Sequence, residues 1–248
     1  MKILVCISHV PDTTSKINFT DNNTKFDTSG VQFVINPNDE FGLTRAMWFK
    51  EKQGATVDVI NVGGPETEPT LRKALAIGAD SAIRVNTPAT DGFQVAKQLA
   101  KIAKDGEYDL IIAGRESLDY NGGMVPGMLA ALLNANFVNT CIGLEVEGEK
   151  ATAIREIDGG KETLTTSFPL VIGTQKGLVE ESDLRIPNMR GIMQARKKPL
   201  NVVEPVETTT QTSIEKFEKP APRGAIKLID ADNLDELINL LHNEAKVI

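Results

Sequence analysis

Residues 108–133 read YDLIIAGRESLDYNGGMVPGMLAALL, and this stretch decides the predicted fold. Leu110–Ala113 is a short apolar run, typical of a strand that is buried on both faces of a sheet. Arg115–Gly123 is a polar loop that ends in two glycines, and Met124–Leu133 repeats apolar residues at helical spacing. The stretch therefore predicts a strand, a loop and the start of a helix, where free N–H groups and the helix dipole attract an anion.

The loop carries no more specific motif, since it contains neither a P-loop signature nor G-x-G-x-x-G. Gly122 and Gly123 have no Cβ atoms, so a phosphate could approach their backbone closely. The same glycines also suit a β–α turn that binds nothing. The residues of the loop leave both interpretations open.

The composition is that of an ordinary globular protein, and 248 residues suit one large domain or one domain with an appendage. A net charge of −7 argues against nucleic acid as the main partner. The sequence has no apolar run of about 18 residues and no signal-peptide pattern, so we expect a cytoplasmic protein without membrane insertion. Two cysteines and two histidines give no usual zinc-site spacing, and Cys6 is expected to be a buried, unreactive thiol.

Strands and helices alternate through the first half of the chain. Short links between them predict right-handed βαβ units and a parallel sheet. A further excursion of short extended segments is expected between residues 16 and 35. The predicted strands are Lys2–Ser8, Thr56–Val62 and Ala82–Val85, and the predicted helices are 37–53 capped by Asn36, Leu71–Ile77, and 92–104 capped by Asp91.

The pattern changes after Leu133. Three strand-like segments separated by glycine turns, Phe137–Glu147, Ala151–Ile157 and Thr163–Ile172, predict an antiparallel meander. A polar stretch follows and contains a short basic helix, whose end at Arg196, Lys197 and Lys198 is expected to be solvated. Glu207–Gly224 suggests an extended linker, and Asn233–His242, capped by Asp232, suggests an amphipathic helix that lies on a partner or on its own domain.

Four loops should meet at the carboxyl ends of the parallel strands, where ligands bind in such sheets. They are Cys6–Asp12, Asn36–Glu40, Gly63–Glu66 and Gly114–Val125. None of them offers a plausible pair of nucleophile and base. The pattern favours holding a nucleotide over cleaving one.

Several stretches together, in order along the chain, resemble the electron transfer flavoprotein beta subunit family. REIDGGKETL at 155–164 and GIMQARKKPL at 191–200 are the most specific. The others are the ILV and VPD at the start of the chain, INPNDEFGLTRA at 35–46, ALAIGAD at 74–80 and AGRESLDYN at 113–121.

The resemblance implies an α/β fold, namely a parallel-sheet core similar to the adenine-nucleotide hydrolases, half of a doubly wound pair, with an antiparallel meander and an extended C-terminal arm. The core would span 1–205 and include a partner-recognition loop at about 185–194. Residues 206–248 would form a linker and a helical arm that lies on an alpha subunit.

The resemblance also implies an electron carrier without catalytic residues of its own. It would form a heterodimer with an alpha subunit that holds most of a redox-active FAD. Electrons would come from acyl-CoA dehydrogenases of fatty acid beta-oxidation and related enzymes, and would go to a quinone oxidoreductase. We expect AMP in this subunit; the alternatives are an electron-bifurcating form with a second FAD here, and a stand-alone adenine-nucleotide sensor.

By position, the resemblance places the nucleotide site on the four predicted loops, with Cys6 acting through its main chain. Because polar side chains that many members carry are replaced at 122–125, backbone N–H groups should make the phosphate contacts. The implied cofactor-binding residues are Cys6, Asn36, Pro37, Asn38, Asp39, Gly63, Gly114, Arg115, Asp119, Asn121, Gly122, Gly123, Met124 and Val125.

The implied partner-binding residues are Glu156 and, in the recognition loop, Arg185, Met189, Ile192 and Met193. Glu156 matches an acid that meets an alpha-subunit arginine near the flavin. Met189 takes the place of an anchoring leucine that docks on the dehydrogenase, a role that its flexible side chain can fill. His9 lies where the family often has arginine and is expected to be exposed.

Overall fold

A computed structural model describes residues 1–222 and 224–248. Within these ranges the chain forms thirteen strands and six α-helices. The strands are β1 (Lys2–Cys6), β2 (His9–Pro11), β3 (Phe19–Thr20), β4 (Lys25–Phe26), β5 (Phe33–Ile35), β6 (Thr56–Val62), β7 (Ser81–Val85), β8 (Leu110–Gly114), β9 (Asn136–Glu147), β10 (Lys150–Ile157), β11 (Gly160–Ser167), β12 (Leu170–Thr174) and β13 (Leu200–Val203). The helices are α1 (Pro37–Gln53), α2 (Glu68–Ile77), α3 (Gly92–Gly106), α4 (Val125–Leu133), α5 (Met189–Ala195) and α6 (Leu234–Asn239).

A nine-stranded sheet, in the order β11-β10-β9-β12-β8-β1-β6-β7-β13, forms the centre of the fold. The seven neighbouring strands β9-β12-β8-β1-β6-β7-β13 pair in parallel, and β10 pairs antiparallel with both β9 and β11. The predicted α/β fold with a mostly parallel sheet is thus confirmed. Hairpins β2–β5 and β3–β4 form the excursion after β1.

Helices cover both faces of the parallel strands. Alternate residues of β1 point to opposite faces, so Ile3 and Val5 join the core under α1 and α2, whereas Leu4 and Cys6 join the core under α3 and α4. Both cores are apolar and closed, which fixes the sheet between two helical layers.

The ends of the predicted helices largely agree with the structure. Proline starts α1, and Gly54 ends it in the left-handed conformation at φ 68°. Asp91 caps α3 by accepting from the N–H of Gln94 at 2.7 Å. Asn36 stands at the N-cap of α1, but its side chain makes no capping hydrogen bond and instead contacts the loop after β8.

The predicted meander was wrong in its last strand. Thr163–Ile172 is divided between β11, which pairs with β10, and β12, which returns into the parallel sheet between β8 and β9. Pro169 separates the two, and the run from Leu170 to Thr174 is buried throughout, as expected for an inner parallel strand.

Two further predictions near the C-terminus need correction. The polar stretch before residue 200 leads into β13, a parallel edge strand beside β7 that the sequence analysis did not predict. Asn233, not Asp232, caps the last helix by accepting from the N–H of Glu236 at 3.3 Å. That helix ends at Asn239, and Leu240–Ala245 continues it as a π-helical turn.

The segment that leads to the arm is attached to the core by several contacts. Gln98 exchanges two hydrogen bonds of 2.8 Å with the backbone of Val206. Asp91 accepts from the N–H groups of Gln211 and Thr212. Phe217 stacks on Phe19 with ring centroids 4.8 Å apart. Residues 206–217 of the segment with the predicted linker therefore form a strap along the surface of the core, and Arg223 of that linker lies outside the described residues.

Among the described residues, we find no helix with the length and apolarity needed to cross a bilayer. The same residues contain no group of three or more His, Cys, Asp or Glu side chains arranged to hold a metal ion.

Candidate functional site

The four predicted loops meet at one edge of the sheet. Because β1, β6, β8 and β12 are parallel neighbours, Cys6, Val62, Gly114 and Thr174 all lie at their carboxyl ends. The N–H of Arg115 donates to the carbonyl of Thr174 at 2.9 Å, which extends the ladder beyond β8. This edge positions the candidate site, as expected for an open α/β sheet.

Asp39 joins three of these loops. Its Oδ2 accepts from the N–H of Ser8 at 2.7 Å, and its Oδ1 accepts from the N–H of Gly114 at 2.8 Å and from the Asn36 amide at 3.0 Å. The residue is 2% exposed, and burial raises its pKa to about 7 although these donors favour the carboxylate. A Cβ at Gly114 would overlap Oδ1, so glycine is required there.

Two asparagines fix the start of the glycine loop. Asn36 donates to the carbonyl of Glu116 at 2.9 Å and accepts from the N–H of Leu118 at 3.2 Å. Asn38 donates to the same Glu116 carbonyl at 3.1 Å. The side chains of Asn36, Asn38 and Asp39 thus organise the loops.

The second half of the glycine loop is exposed. Asn121 and Gly123 adopt positive φ values of 48° and 62°, and α4 begins directly after them. In the described residues, no acceptor takes the N–H groups of Gly122, Gly123 or Met124. The predicted arrangement of strand, loop and helix N-terminus is therefore present, with free donors on its rim.

Arg84 supports the loop that contains Gly63, and the sequence analysis did not single it out. Its guanidinium is buried, donates to the carbonyl of Gly63 at 3.0 Å and to Asn86 at 2.8 Å, and pairs with Glu68 at 3.2 Å. The only feature of the sequence that could have pointed to Arg84 is the presence of an arginine within a predicted strand.

A chain of polar contacts leads from the glycine loop to Glu156. Arg115 donates from Nη1 to Oε1 of Gln175 at 3.0 Å, and Gln175 donates from Nε2 to Oε2 of Glu156 at 2.6 Å. Arg115 also pairs with Glu116 at 2.8 Å. Gln175, at the end of β12, was missed because β12 itself was not recognised.

The model of the electron transfer flavoprotein domain matches residues 23–208 of the chain. The electron transfer flavoprotein subunit beta of Bacillus subtilis is 35% identical over 262 residues that cover both chains completely. The human protein of that name is 32% identical over 235 residues, covering 91% of each chain. A subunit beta of Arabidopsis thaliana, named mitochondrial, is 34% identical over the full length of both chains.

The chain belongs to the electron transfer flavoprotein subunit beta family. The match places it among proteins of electron transport and confirms the resemblance that the motifs indicated.

Two residues near this edge of the sheet bear on the predictions made from the sequence. The Cys6 thiol is buried, and desolvation raises its pKa far above the ordinary value, as expected for an unreactive thiol. The prediction of an exposed His9 was wrong: its ring stacks on Phe33 at 4.3 Å and its Nδ1 lies 2.8 Å from the Thr70 hydroxyl. Phe33 lies on β5, which pairs with the strand of His9, and Thr70 lies on α2.

The predicted partner-recognition loop displays apolar side chains. Met189 is 75% exposed, and Ile192 and Met193 are exposed beside it. Ile186, which the sequence analysis did not select, is 81% exposed and lies three residues before Met189. We call Ile186, Met189 and Met193 the apolar tip.

The base beneath the apolar tip is rigid. Arg72 of α2 donates to the carbonyls of Ala195 and Lys198, both at 2.8 Å. The Lys198 amine donates to the carbonyl of Leu75 at 3.0 Å, so the prediction that it is solvated was wrong, and burial and the charge of Lys50 lower its pKa. Gly191 fits against α2 so closely that a Cβ would overlap the carbonyl of Ala76.

Arg185 anchors the start of the same loop to α1. Its N–H donates to the hydroxyl of Thr44 at 3.1 Å, and its guanidinium pairs with Glu51 at 2.7 Å. The structure thus gathers the predicted cofactor-binding residues at the sheet edge and holds the predicted recognition loop separately, against α1 and α2.

Proposed function

We propose that this chain is the nucleotide-holding subunit of a heterodimeric electron transfer flavoprotein and that it binds AMP. One observation carries the proposal: Asp39 fixes three loops around a rim on which the N–H groups of Gly122, Gly123 and Met124 have no acceptor among the described residues. Free backbone donors at a helix start, beside glycines, fit the phosphate of a mononucleotide.

Asn61 adds a second feature that fits a bound nucleotide. Its Nδ2 donates to the carbonyl of Ile7 at 2.8 Å, whereas its buried Oδ1 has no donor in the described parts of the chain. The residue lies two positions before Gly63. Since buried acceptors are rarely left unpaired, a ligand donor such as the amino group of adenine would satisfy it.

The proposed role of the chain is to hold the nucleotide and to orient its partner subunit. In the proposed complex, most of the FAD lies in the alpha subunit, and when bound it supplies the electron-transfer chemistry. Cys6 contributes its main chain, while Asp119, Asn121 and Val125 border the phosphate rim. We expect electrons from acyl-CoA and related dehydrogenases and a quinone oxidoreductase as the acceptor; a cytoplasmic location stays a prediction.

Three exposed surfaces support the partner proposals. The apolar tip stands on a rigid base, as docking anchors commonly do, and fits a pocket on the dehydrogenase. Glu156 is exposed and negatively charged, which fits an arginine of the alpha subunit. The arm displays Ile226, Leu228, Leu234 and Ile238 to solvent, which fits an arm that packs on the alpha subunit.

The proposed cofactors are tested by denaturing the purified heterodimer and measuring the nucleotides that it releases. One FAD and one AMP per heterodimer is the expected result. Two FAD molecules without AMP would favour the electron-bifurcating alternative. FAD alone would contradict an adenylate site in this chain.

The docking proposal is tested with the double variant Ile186→Ala/Met189→Ala. We expect an acyl-CoA dehydrogenase to reduce the complex about tenfold more slowly, because buried apolar anchors dominate such interfaces. Flavin content should stay unchanged. Val202→Ala, an exposed apolar residue on the edge strand β13, is the matched control. Equal rates for all three proteins would remove the docking role.

A further inference from the structure

We propose that Gln175 is a positioning residue that holds the Glu156 carboxylate in the direction from which the alpha subunit approaches. The inference rests on the proposed function of Glu156 as a contact for that subunit. It starts from the continuous contact chain Arg115–Gln175–Glu156, whose two bonds measure 3.0 and 2.6 Å.

The chemistry of its neighbours gives the Gln175 amide one orientation. A guanidinium can only donate hydrogen bonds, and a carboxylate can only accept them. The carbonyl oxygen of Gln175 must therefore face Arg115, and its amino group must face Glu156. Turning the amide over would break both hydrogen bonds, because donor would then face donor and acceptor would face acceptor.

Gln175 is also fixed in place by its surroundings. It is 6% exposed and directly follows β12, and the N–H of Arg115 donates to the preceding carbonyl, that of Thr174, at 2.9 Å. Arg115 in turn is held by its pair with Glu116. The amide that meets Glu156 thus belongs to the rigid edge of the parallel sheet.

Glu156, by contrast, lies on the exposed meander, two strands away from β12. Its backbone carbonyl accepts from the Thr140 hydroxyl at 2.7 Å, which fixes its position on β10. Without Gln175 the carboxylate would be free to rotate in solvent. With Gln175, one oxygen is taken and Oε1 has no hydrogen-bond partner in the described structure, so it is free for a cation of the partner.

This arrangement holds the Glu156 carboxylate ready to bind one cation of the partner. A long acidic side chain loses rotational freedom when it pairs, and a bond formed in advance removes part of that cost. The hydrogen bond from Gln175 is charge-assisted and short, so its loss should weaken a contact made through Glu156 by about tenfold. The same chain connects the phosphate loop to the partner surface.

The test compares Gln175→Leu, Glu156→Gln and the double variant in full-length protein. Their affinity for the FAD-loaded alpha chain is measured by titration of flavin fluorescence, with thermal melting as the control for folding. We expect each single variant to bind about tenfold more weakly, and the double variant to bind no more weakly than Glu156→Gln alone.

Gln175→Glu provides a second variant in case the leucine disturbs folding. It can still accept from Arg115, but it repels Glu156, so weaker binding with an unchanged melting temperature is expected. If both Gln175 variants bind with wild-type affinity while Glu156→Gln binds more weakly, the positioning role is overturned and the proposed function stays intact. Additive losses would overturn it as well. Wild-type affinity of Glu156→Gln would instead refute the proposed function of Glu156, and the inference with it.

Discussion

Replacing Asp39 by asparagine would test whether one buried carboxylate holds together the loops at the carboxyl ends of the parallel strands, the proposed nucleotide edge. The wild-type side chain accepts from the N–H groups of Ser8 and Gly114 with its two oxygens. Asparagine has the same size but a single acceptor oxygen, so one buried N–H would face an amino group. Relative to the ionised wild-type side chain, leaving one such donor unsatisfied costs about 1–3 kcal/mol in the free energy of unfolding.

The same substitution would change how stability depends on pH. The pKa of Asp39 rises from 3.8 to about 7 in the folded chain because the group is buried. Between these values the folded chain binds the proton and the unfolded chain releases it, so the contribution to stability falls as pH rises and is lost through pH 7. At about 1.4 kcal/mol per pH unit, raising the pH from 5 to 8 should remove about 2.5 kcal/mol.

Urea unfolding of the full chain at pH 5 and pH 8 would measure both effects. Because Asp39→Asn cannot titrate at this position, wild type should lose about 2.5 kcal/mol relative to the variant between pH 5 and pH 8. Asp119→Asn, an exposed acid on the same loop, is the control and should follow wild type at both pH values. If Asp39→Asn and wild type lost stability in parallel, the assignment of a raised pKa to Asp39 would be wrong.

Two further substitutions address the recognition loop and the strap. In Gly191→Ala, the added Cβ would overlap the Ala76 carbonyl, so α5 should shift, with a cost of about 1–3 kcal/mol by thermal melting and slower reduction by the dehydrogenase; Gly160→Ala, where a Cβ meets nothing, should leave both unchanged. Asp91→Ala should cost about 0.5–2 kcal/mol through the lost helix cap and should speed hydrogen exchange at Gln211 and Thr212. Asp91→Ser keeps an oxygen that can cap α3 but lacks the second oxygen that accepts from Gln211 and Thr212. It should therefore restore the stability but not the protection of these two N–H groups from hydrogen exchange. Protection in all three proteins would show that the strap is held without Asp91.

The sequence was sufficient for features that depend on local chemistry. Proline at the start of α1, Gly54 after its end and Asp91 before α3 each act within one turn of a helix, so their effects could be predicted from neighbouring residues. The same holds for the glycine loop between β8 and α4. Alternation of apolar strands and helices then limited the topology to a parallel sheet.

The features that were missed depend on contacts between distant parts of the chain. Asp39 binds Gly114 across 75 positions, and Gln175 binds Arg115 across 60. An apolar run such as LVIGT does not reveal which strands it will join, so the insertion of β12 between β8 and β9 could not be read locally. Once β12 was missed, Gln175 had no predicted place at the nucleotide edge.

Helix α1 connects the two proposed sites. Asp39, in its first turn, fixes the nucleotide edge, and Thr44, one and a half turns later, accepts from the backbone of Arg185 in the recognition loop. Between and beyond them, Phe41, Leu43 and Met47 are buried in the core. Because a packed core resists gradual deformation, the nucleotide edge and the apolar tip cannot move far relative to each other without repacking. In the proposed complex, any large motion that brings the flavin toward a docked dehydrogenase should therefore occur in the companion subunit, while this chain keeps both proposed sites in a fixed relation.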